Sequence, residues 1–398
     1  MPYPTWLPIL LGILTAVGPL STDMYLPAFP AIEASMHGMP GTAQVTLATW
    51  FAGLAVGQVT QGSLADRFGR RRPLIVGTLV YALANVGCAL STDITTLSVL
   101  RFVAAFGGSA SMVIPRAIVR DLTDGHAAAR LMSRLILVMG AAPILAPTLG
   151  GAVLGFGSWH TIFWIMSVYG ALCAVLVVAL LPETLAARHR ITGGVARTLA
   201  RFVGVARDRV FLSYALIGGF GMFGMFAYIG GSPPVFIEHF GFSPERYGML
   251  FGLSAAMFII ASQVSPRLLP RFGGARIVRV ACLIYVAAGV VLVGAAMWGL
   301  GVVAMVGPVM VAMGCMGFIM PNAAVGALSR HAHQAGSASA LMGTLQFTLA
   351  ACAGLLVGAL SDGTPRPMAA MLLLGALGTV VADRMRPHLP SSHIKETA

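Results

Sequence analysis

Three ionisable residues, Asp23, Arg101 and Arg116, stand well inside long apolar stretches of this 398-residue chain, and they limit the chemistry it can do. An ionised side chain in hydrocarbon costs about 2.5–3.5 kcal/mol on insertion scales, so each needs a partner or an aqueous cavity. A carboxyl group taken out of water favours its neutral form, and a nearby guanidinium restores the charged one. Asp23 beside a cation is therefore suited to binding and releasing a proton. The other reading is a fixed structural ion pair. Arg101 keeps its proton, so it either biases a neighbouring acid, holds an anionic group, or snorkels towards water. Arg116 follows Pro115 near the end of its stretch, where snorkelling is open to a long cationic side chain.

Bond-making chemistry finds little support. Lys395 is the single lysine, which excludes a Walker A phosphate loop, and neither H-E-x-x-H nor G-x-S-x-G occurs. None of the nine histidines falls in the middle of an apolar stretch. Cys88, Cys173, Cys282, Cys315 and Cys352 all sit in apolar runs without C-x-x-C spacing, as small core residues do. No enzyme activity, metal or organic cofactor is expected, so energy comes from an ion gradient, with the proton as the expected coupling ion, or the flux is downhill.

The elements that must position these residues follow from composition. The chain is 57% hydrophobic and 10% charged, with mean hydropathy +0.86, against roughly 25% charged in soluble domains. So little charge cannot cover a water-facing surface, and lipid must be the main solvent. Apolar runs long enough to span it fall near 5–29, 43–65, 74–91, 95–119, 133–156 and 159–181. A second set follows near 210–236, 246–265, 277–297, 299–326, 336–361 and 367–383. The expected fold is an all-α membrane protein of twelve transmembrane helices. Its two pseudo-symmetric six-helix bundles cover residues 1–182 and 210–398, joined by a polar loop over 183–209.

Charge placement orients this chain. The net charge of +12 comes mostly from arginines clustered in alternate gaps: 66–73, 120–134, 183–209, 266–279, Arg330 and beyond 383. The other gaps hold Glu33, Asp93, Glu238, Glu245 and Asp362 with only Arg246 and Arg366. Lysine and arginine resist translocation, so both termini are placed in the cytoplasm. A basic face interleaved with aromatics is missing, which argues against nucleic acid. The first run lacks a basic leader ahead of it and reads as a retained span.

Two halves also repeat. Arg67-Phe68-Gly69 recurs as Arg271-Phe272-Gly273, and Tyr25, Pro30 and Ile32-Glu33 recur as Tyr228, Pro233 and Ile237-Glu238, all about half a chain later. In the loop Gly62 to Pro73, Gly62 permits close helix approach and Gly69 a sharp reversal. Asp66, Arg70 and Arg71 can then form a charged latch with Asp121; the bland reading is topological charge alone. Pro143 and Pro147 bend span 5, and Gly150 and Gly151 allow tight packing there. Met222, Met225, Phe226 and Tyr228 in span 7 suit an adaptable apolar pocket, or equally a lipid-facing or core stripe. Tyr25, Asn322 and Gln346 are further polar candidates for a cavity.

These motifs resemble a known family. Gly62, Asp66, Gly69 and Arg70 are similar to the loop 2–3 motif of the major facilitator superfamily, and Arg101 to the basic residue of its span 4 motif, implicated in proton transfer. Pro147, Gly150 and Gly151 resemble its span 5 antiporter motif, with alanines at 142 and 146 in place of two glycines. Ser21 to Pro30, Ser158 to Trp164 and Leu181 to Leu185 resemble the Bcr/CflA drug-resistance subfamily. The resemblance implies a drug:proton antiporter of the bacterial inner membrane, exporting bicyclomycin-, sulfonamide- or phenicol-like molecules and working as a monomer. It also implies that Asp23 handles drug and proton. An importer or facilitator of the same fold, or a membrane-embedded sensor, is the competing reading.

Overall fold

The computed structural model describes residues 4, 6–38, 41–123, 131, 135, 142, 145–186, 190, 202–331 and 335–387. Its apolar helices are α1 (Leu7–Ser35), α2 (Thr42–Phe68), α3 (Arg71–Leu90), α4 (Ile94–Leu122), α5 (Leu145–Phe156) and α6 (Trp159–Leu180) in the first half. The second half has α7 (Arg209–His239), α8 (Pro244–Phe272), α9 (Gly274–Met297), α10 (Val302–Leu328), α11 (Ala335–Ala359) and α12 (Arg366–Arg384). Together they form the twelve-helix, two-bundle fold, and each matches one expected span. Pro143 and much of span 5 lie outside the described residues.

Ten of these helices are apolar enough by composition to cross a bilayer. α2 is not among them because it carries Gln44, Thr46, Gln58 and Gln61, all buried. Its polar groups face protein; Gln61 Nε2, for example, donates to the Phe106 carbonyl at 3.2 Å. α3, α6 and α9 do the reverse, exposing Leu83, Val168 and Val291 as a hydrocarbon-facing band.

Within each bundle the helices close on small residues, since dispersion rather than the hydrophobic effect joins helices in lipid. A Cβ on Gly53 would strike the Phe102 carbonyl, and one on Gly57 would strike Ser109, so these glycines bring α2 onto α4. Gly375 does the same for α12 against Gly224 of α7. Gly62, expected to serve this purpose, does not: its nearest neighbour would be Val113, at an ordinary 3.7 Å. The close approach lies about one and a half to two and a half turns earlier, at Gly57 and Gly53, where α2 is still deep in the bundle.

The bundles touch along the end that carries Glu33 and Glu238, here the acidic end; the opposite one, with the Gly62–Pro73 loop, is the basic end. There Gly41 abuts Gly358, Gly354 abuts Ala48, and Gly248 of α8 rests on the backbone of Pro147 and Thr148. Deeper in, Thr344 Oγ1 donates to the Ala55 carbonyl at 3.2 Å. Glu33 corrects one expectation. Span 1 runs on to Ser35 instead of stopping near 29, so Glu33 is a buried helix residue and not a loop acid. Its Oε1 accepts the backbone N–H groups of Gly41 and Ala43 at 3.0 and 2.9 Å, satisfying donors at the start of α2 that a helix leaves unpaired.

Candidate functional site

α1 is broken where the site lies. Pro19, Pro27 and Pro30 interrupt its ladder, and regular α-helix ends at Asp23 before a 3-10 turn over Leu26–Ala28. The break leaves the Ser21 carbonyl without its helical partner, and Arg101 Nη2 donates to it at 2.9 Å. Arg101 is fully buried. Its guanidinium lies 4.1 Å from the Tyr25 ring centroid, 4.4 Å from that of Trp50 and 5.8 Å from that of Phe163. Its Nε and Nη1 find no hydrogen-bond acceptor among the described residues. The cation is held by ring faces and one carbonyl, and it makes no ion pair with Asp23.

Asp23 faces the other way. It lines a 240 Å³ cavity between the bundles, together with Thr22, Phe51, Met112, Phe251 and Phe347. No hydrogen bond or ion pair reaches its carboxylate from any described residue. Of the span 7 candidates, Met222, Met225, Phe226 and Tyr228 all line this cavity. Phe51 and Phe226 meet across the bundles with centroids 4.1 Å apart, and Phe347 stacks on Phe51 at 6.1 Å. Tyr228 spends its hydroxyl on Ser254 Oγ at 2.9 Å, leaving its ring stacked on Phe251. Among the described residues Asp23 is thus the one ionisable side chain, tyrosine aside, in a wall of rings, thioethers and aliphatic groups.

Three polar candidates lie elsewhere. Tyr25 turns its ring to Arg101 and its hydroxyl to Thr46 Oγ1 at 3.1 Å, not to the cavity. Asn322 is committed to Ser265 Oγ and the Phe318 carbonyl, at 2.7 and 2.8 Å. Gln346 is buried against Gly218, outside the cavity wall. Arg116 has an exposed side chain on α4. In span 5, Pro147 packs against Gly248, Gly151 against Pro244, and Gly150 against the Met24 carbonyl, directly beside Asp23.

The charged loop closes as a network within the first bundle. Gly69 adopts φ +91°, as the reversal requires. Arg70 Nη1 pairs with Asp66 at 2.5 Å and its Nε with Asp121 Oδ2 at 2.8 Å. Arg71 Nη2 reaches instead to the Val178 carbonyl at 2.7 Å. One member escaped the sequence reading: Glu183, in the Leu181–Leu185 segment, accepts the backbone N–H of Arg70 at 2.8 Å and of Arg71 at 3.3 Å. A Cβ on Gly69 would collide with that carboxylate. Partial burial works against ionisation of Glu183, but the N–H groups of Leu185, Arg70 and Arg71 and the charge of Arg190 outweigh it and hold its carboxyl below the usual range. Glu183→Gln should therefore lower stability at neutral pH by about 1 kcal/mol, after discounting for solvent screening at this exposed site. A depressed folded-state pKa stabilises above the ordinary carboxylate range and ceases to as pH falls through it. Thermal unfolding of the two proteins should accordingly converge in acid; a gap that persists there contradicts the assignment.

Two bundles of apolar helices, sealed together at one end around a mid-membrane cavity, define a membrane transporter of the two-domain type. The chain belongs to the Major Facilitator Superfamily, which matches it over residues 11–355. It is 35% identical over 377 residues to an uncharacterised MFS-type transporter, YdgK, of Bacillus subtilis, covering 93% of this chain and 92% of the relative. It is 32% identical over 358 residues to a bicyclomycin resistance protein homolog of Haemophilus influenzae, covering 90% of each. Multidrug resistance protein MdtL of Klebsiella pneumoniae is 29% identical over 279 residues, 69% of each chain. Among solved structures, a bacterial homolog of the human lysosomal transporter Spinster superposes with TM-score 0.76 over 97% of this chain and 96% of its own, at 15% identity. A D-xylose-proton symporter gives 0.72 over 97% of both, also at 15%.

Proposed function

We propose that the protein exports small drug-like molecules from the cytoplasm in exchange for protons. The observation that carries this reading is the carboxylate of Asp23, without a hydrogen-bond or ion-pair partner among the described residues, in an apolar cavity between the bundles. Such a group holds its proton when the cavity is dry and releases it when water or a cation arrives. The cavity walls offer ring and thioether surfaces that adapt to varied shapes. Relatives named for bicyclomycin and multidrug resistance support cargo of the bicyclomycin, sulfonamide or phenicol kind.

The basic end is assigned to the cytoplasm, because that end carries the Arg67–Arg72 cluster and the arginines after α8. Both termini then lie inside, and the protein sits in the bacterial inner membrane as a monomer. The bundles are residues 1–182 and 210–398, linked by 183–209. With the acidic end sealed by Gly41, Gly358, Gly248 and Pro147, the cavity belongs to a state open towards the cytoplasm. Gly150 and Gly151 let α5 slide against α1 and α8 as the bundles rock, and the Asp66–Arg70–Asp121–Glu183 network keeps the basic end of the first bundle rigid during that motion.

One proton entering through about 150 mV yields roughly 3.5 kcal/mol, enough for a gradient of a few hundred-fold of a neutral solute. Reconstituted vesicles with an imposed pH gradient test the reading: substrate should accumulate on the acidic side and release protons in return. Flux indifferent to pH and voltage would favour a facilitator of the same fold, and accumulation together with protons would favour an importer.

A further inference from the structure

The two bundles treat their basic ends differently, and the difference leaves a cleft in which cations outnumber acids among the described residues. In the first bundle the chain answers its own arginines: Asp66 and Asp121 take Arg70, and Glu183 takes the peptide N–H groups where α3 begins. At the corresponding place in the second bundle, between α9 and α12, Asp383 is the single acid among the described residues. It meets Arg279 Nε at 3.1 Å and Arg386 Nη2 at 2.9 Å. Arg386 is further fixed by the Tyr214 hydroxyl at 3.2 Å and the Ala275 carbonyl at 3.1 Å. Arg384 has neither hydrogen bond nor ion pair to any described residue.

These side chains rim a cleft of 330 Å³ whose floor, one turn deeper in the membrane, includes Leu283 and Val380. Leu283 is 54% exposed and belongs to the band of α9 that faces hydrocarbon. The cleft thus carries an excess of cations at the membrane surface and is continuous with an apolar face below. Free anions match only the rim. An amphiphile with a phosphate head and acyl chains matches both parts.

We infer that the α9–α12 cleft is a binding site for an anionic phospholipid, whose phosphate is held by Arg279 and Arg384 with Arg386 behind them. Basic pockets between transmembrane helices bind such headgroups, each basic residue near the surface adding about fivefold to the attraction. The site is independent of the transport reading, because it needs neither cargo nor gradient. A bound lipid there adds to the direct Arg279–Asp383 contact between the basic ends of α9 and α12, where the first bundle relies on Glu183.

Native mass spectrometry of the purified full chain, delipidated and offered equal phosphatidylglycerol and phosphatidylethanolamine, tests this. The wild type should retain phosphatidylglycerol at least about fivefold over phosphatidylethanolamine. Arg384→Gln should lose about fivefold of that preference, and Arg279→Gln with Arg384→Gln should abolish it. Arg246→Gln, at the opposite end, should leave it intact. Because Arg384 makes no described contact, its single variant keeps the test valid if the double variant folds poorly. Equal retention of both lipids by the wild type overturns the proposal, as does an undiminished preference in the Arg384→Gln protein. Displacement of the lipid by millimolar inorganic phosphate would also overturn it, by showing a site for the free anion.

Discussion

Asp23→Asn should reduce accumulation of substrate against its gradient from about a few hundred-fold to none, while exchange of labelled for unlabelled substrate continues. Asn has nearly the volume of Asp and leaves the cavity walls of Phe51, Phe226, Phe251 and Phe347 in place. What it lacks is a proton that can come and go. With no ion pair or hydrogen bond between Asp23 and a described residue, the substitution breaks no contact of the fold, so loss of pumping would report the chemistry and not the stability. The bundles should still rock around a bound solute, which is why exchange survives. The rate of exchange in the variant should also lose its dependence on pH, since the titrating group is gone. Asp23→Glu restores the proton but pushes it one methylene further into the cavity, and should recover coupling in part. Everted vesicles energised by respiration measure accumulation directly, and counterflow measures exchange. Uphill pumping by the Asn variant at the wild-type level would remove Asp23 from the mechanism.

Hydropathy and charge made the helices legible because both act locally: an apolar run ends where an arginine or a proline stops it. The spans agree with the structure to within a few residues, apart from the extensions of α1 to Ser35 and of α8 to Phe272 and from span 5, much of which lies outside the described residues. The Arg70–Asp121 pair was legible for the same reason, since few acids stand at the membrane face to choose from. Glu183 lies in the Leu181–Leu185 motif, but its partnership is hidden in the sequence because its bonds go to peptide N–H groups, which a sequence does not display. Rotation of helices about their axes was the other hidden quantity. Met222, Met225, Phe226 and Tyr228 cover two turns of α7, so some of them face any cavity beside it, and all four do. Tyr25 had one direction to take, and it took the one towards Arg101. The same rotation separates Asp23 from Arg101: one side of the broken α1 offers a carbonyl to the arginine and the other turns the carboxylate to the cavity.

Arg101→Met should leave the protein as stable as the wild type, or more so, and yet abolish coupled transport. Removing a guanidinium from water costs several kcal/mol even after relaxation. The Tyr25 and Trp50 rings return about 2 kcal/mol each, and the hydrogen bond to the Ser21 carbonyl about 1.5–3 kcal/mol. Two of its nitrogens remain without acceptors, so the balance is close to zero. Met fills much of the same volume, keeps contact with all three rings, and carries no charge to desolvate; buried charges replaced in this way often prove neutral or stabilising by 1–4 kcal/mol. On the proposed antiport reading, a cation that adds nothing to the fold is retained for what it does in another state. In that proposal the bundles rock, α1 shifts about its break at Met24, and the guanidinium exchanges the Ser21 carbonyl for the Asp23 carboxylate, driving off the proton on the side where it must leave. Arg101→Lys keeps the charge but not the planar face that spans two rings, and should retain only part of the coupling. Thermal unfolding in detergent, read beside proton-driven accumulation, separates the two roles. A Met variant that unfolds many degrees lower would show that Arg101 is structural, and one that pumps normally would show that Asp23 loses its proton without it.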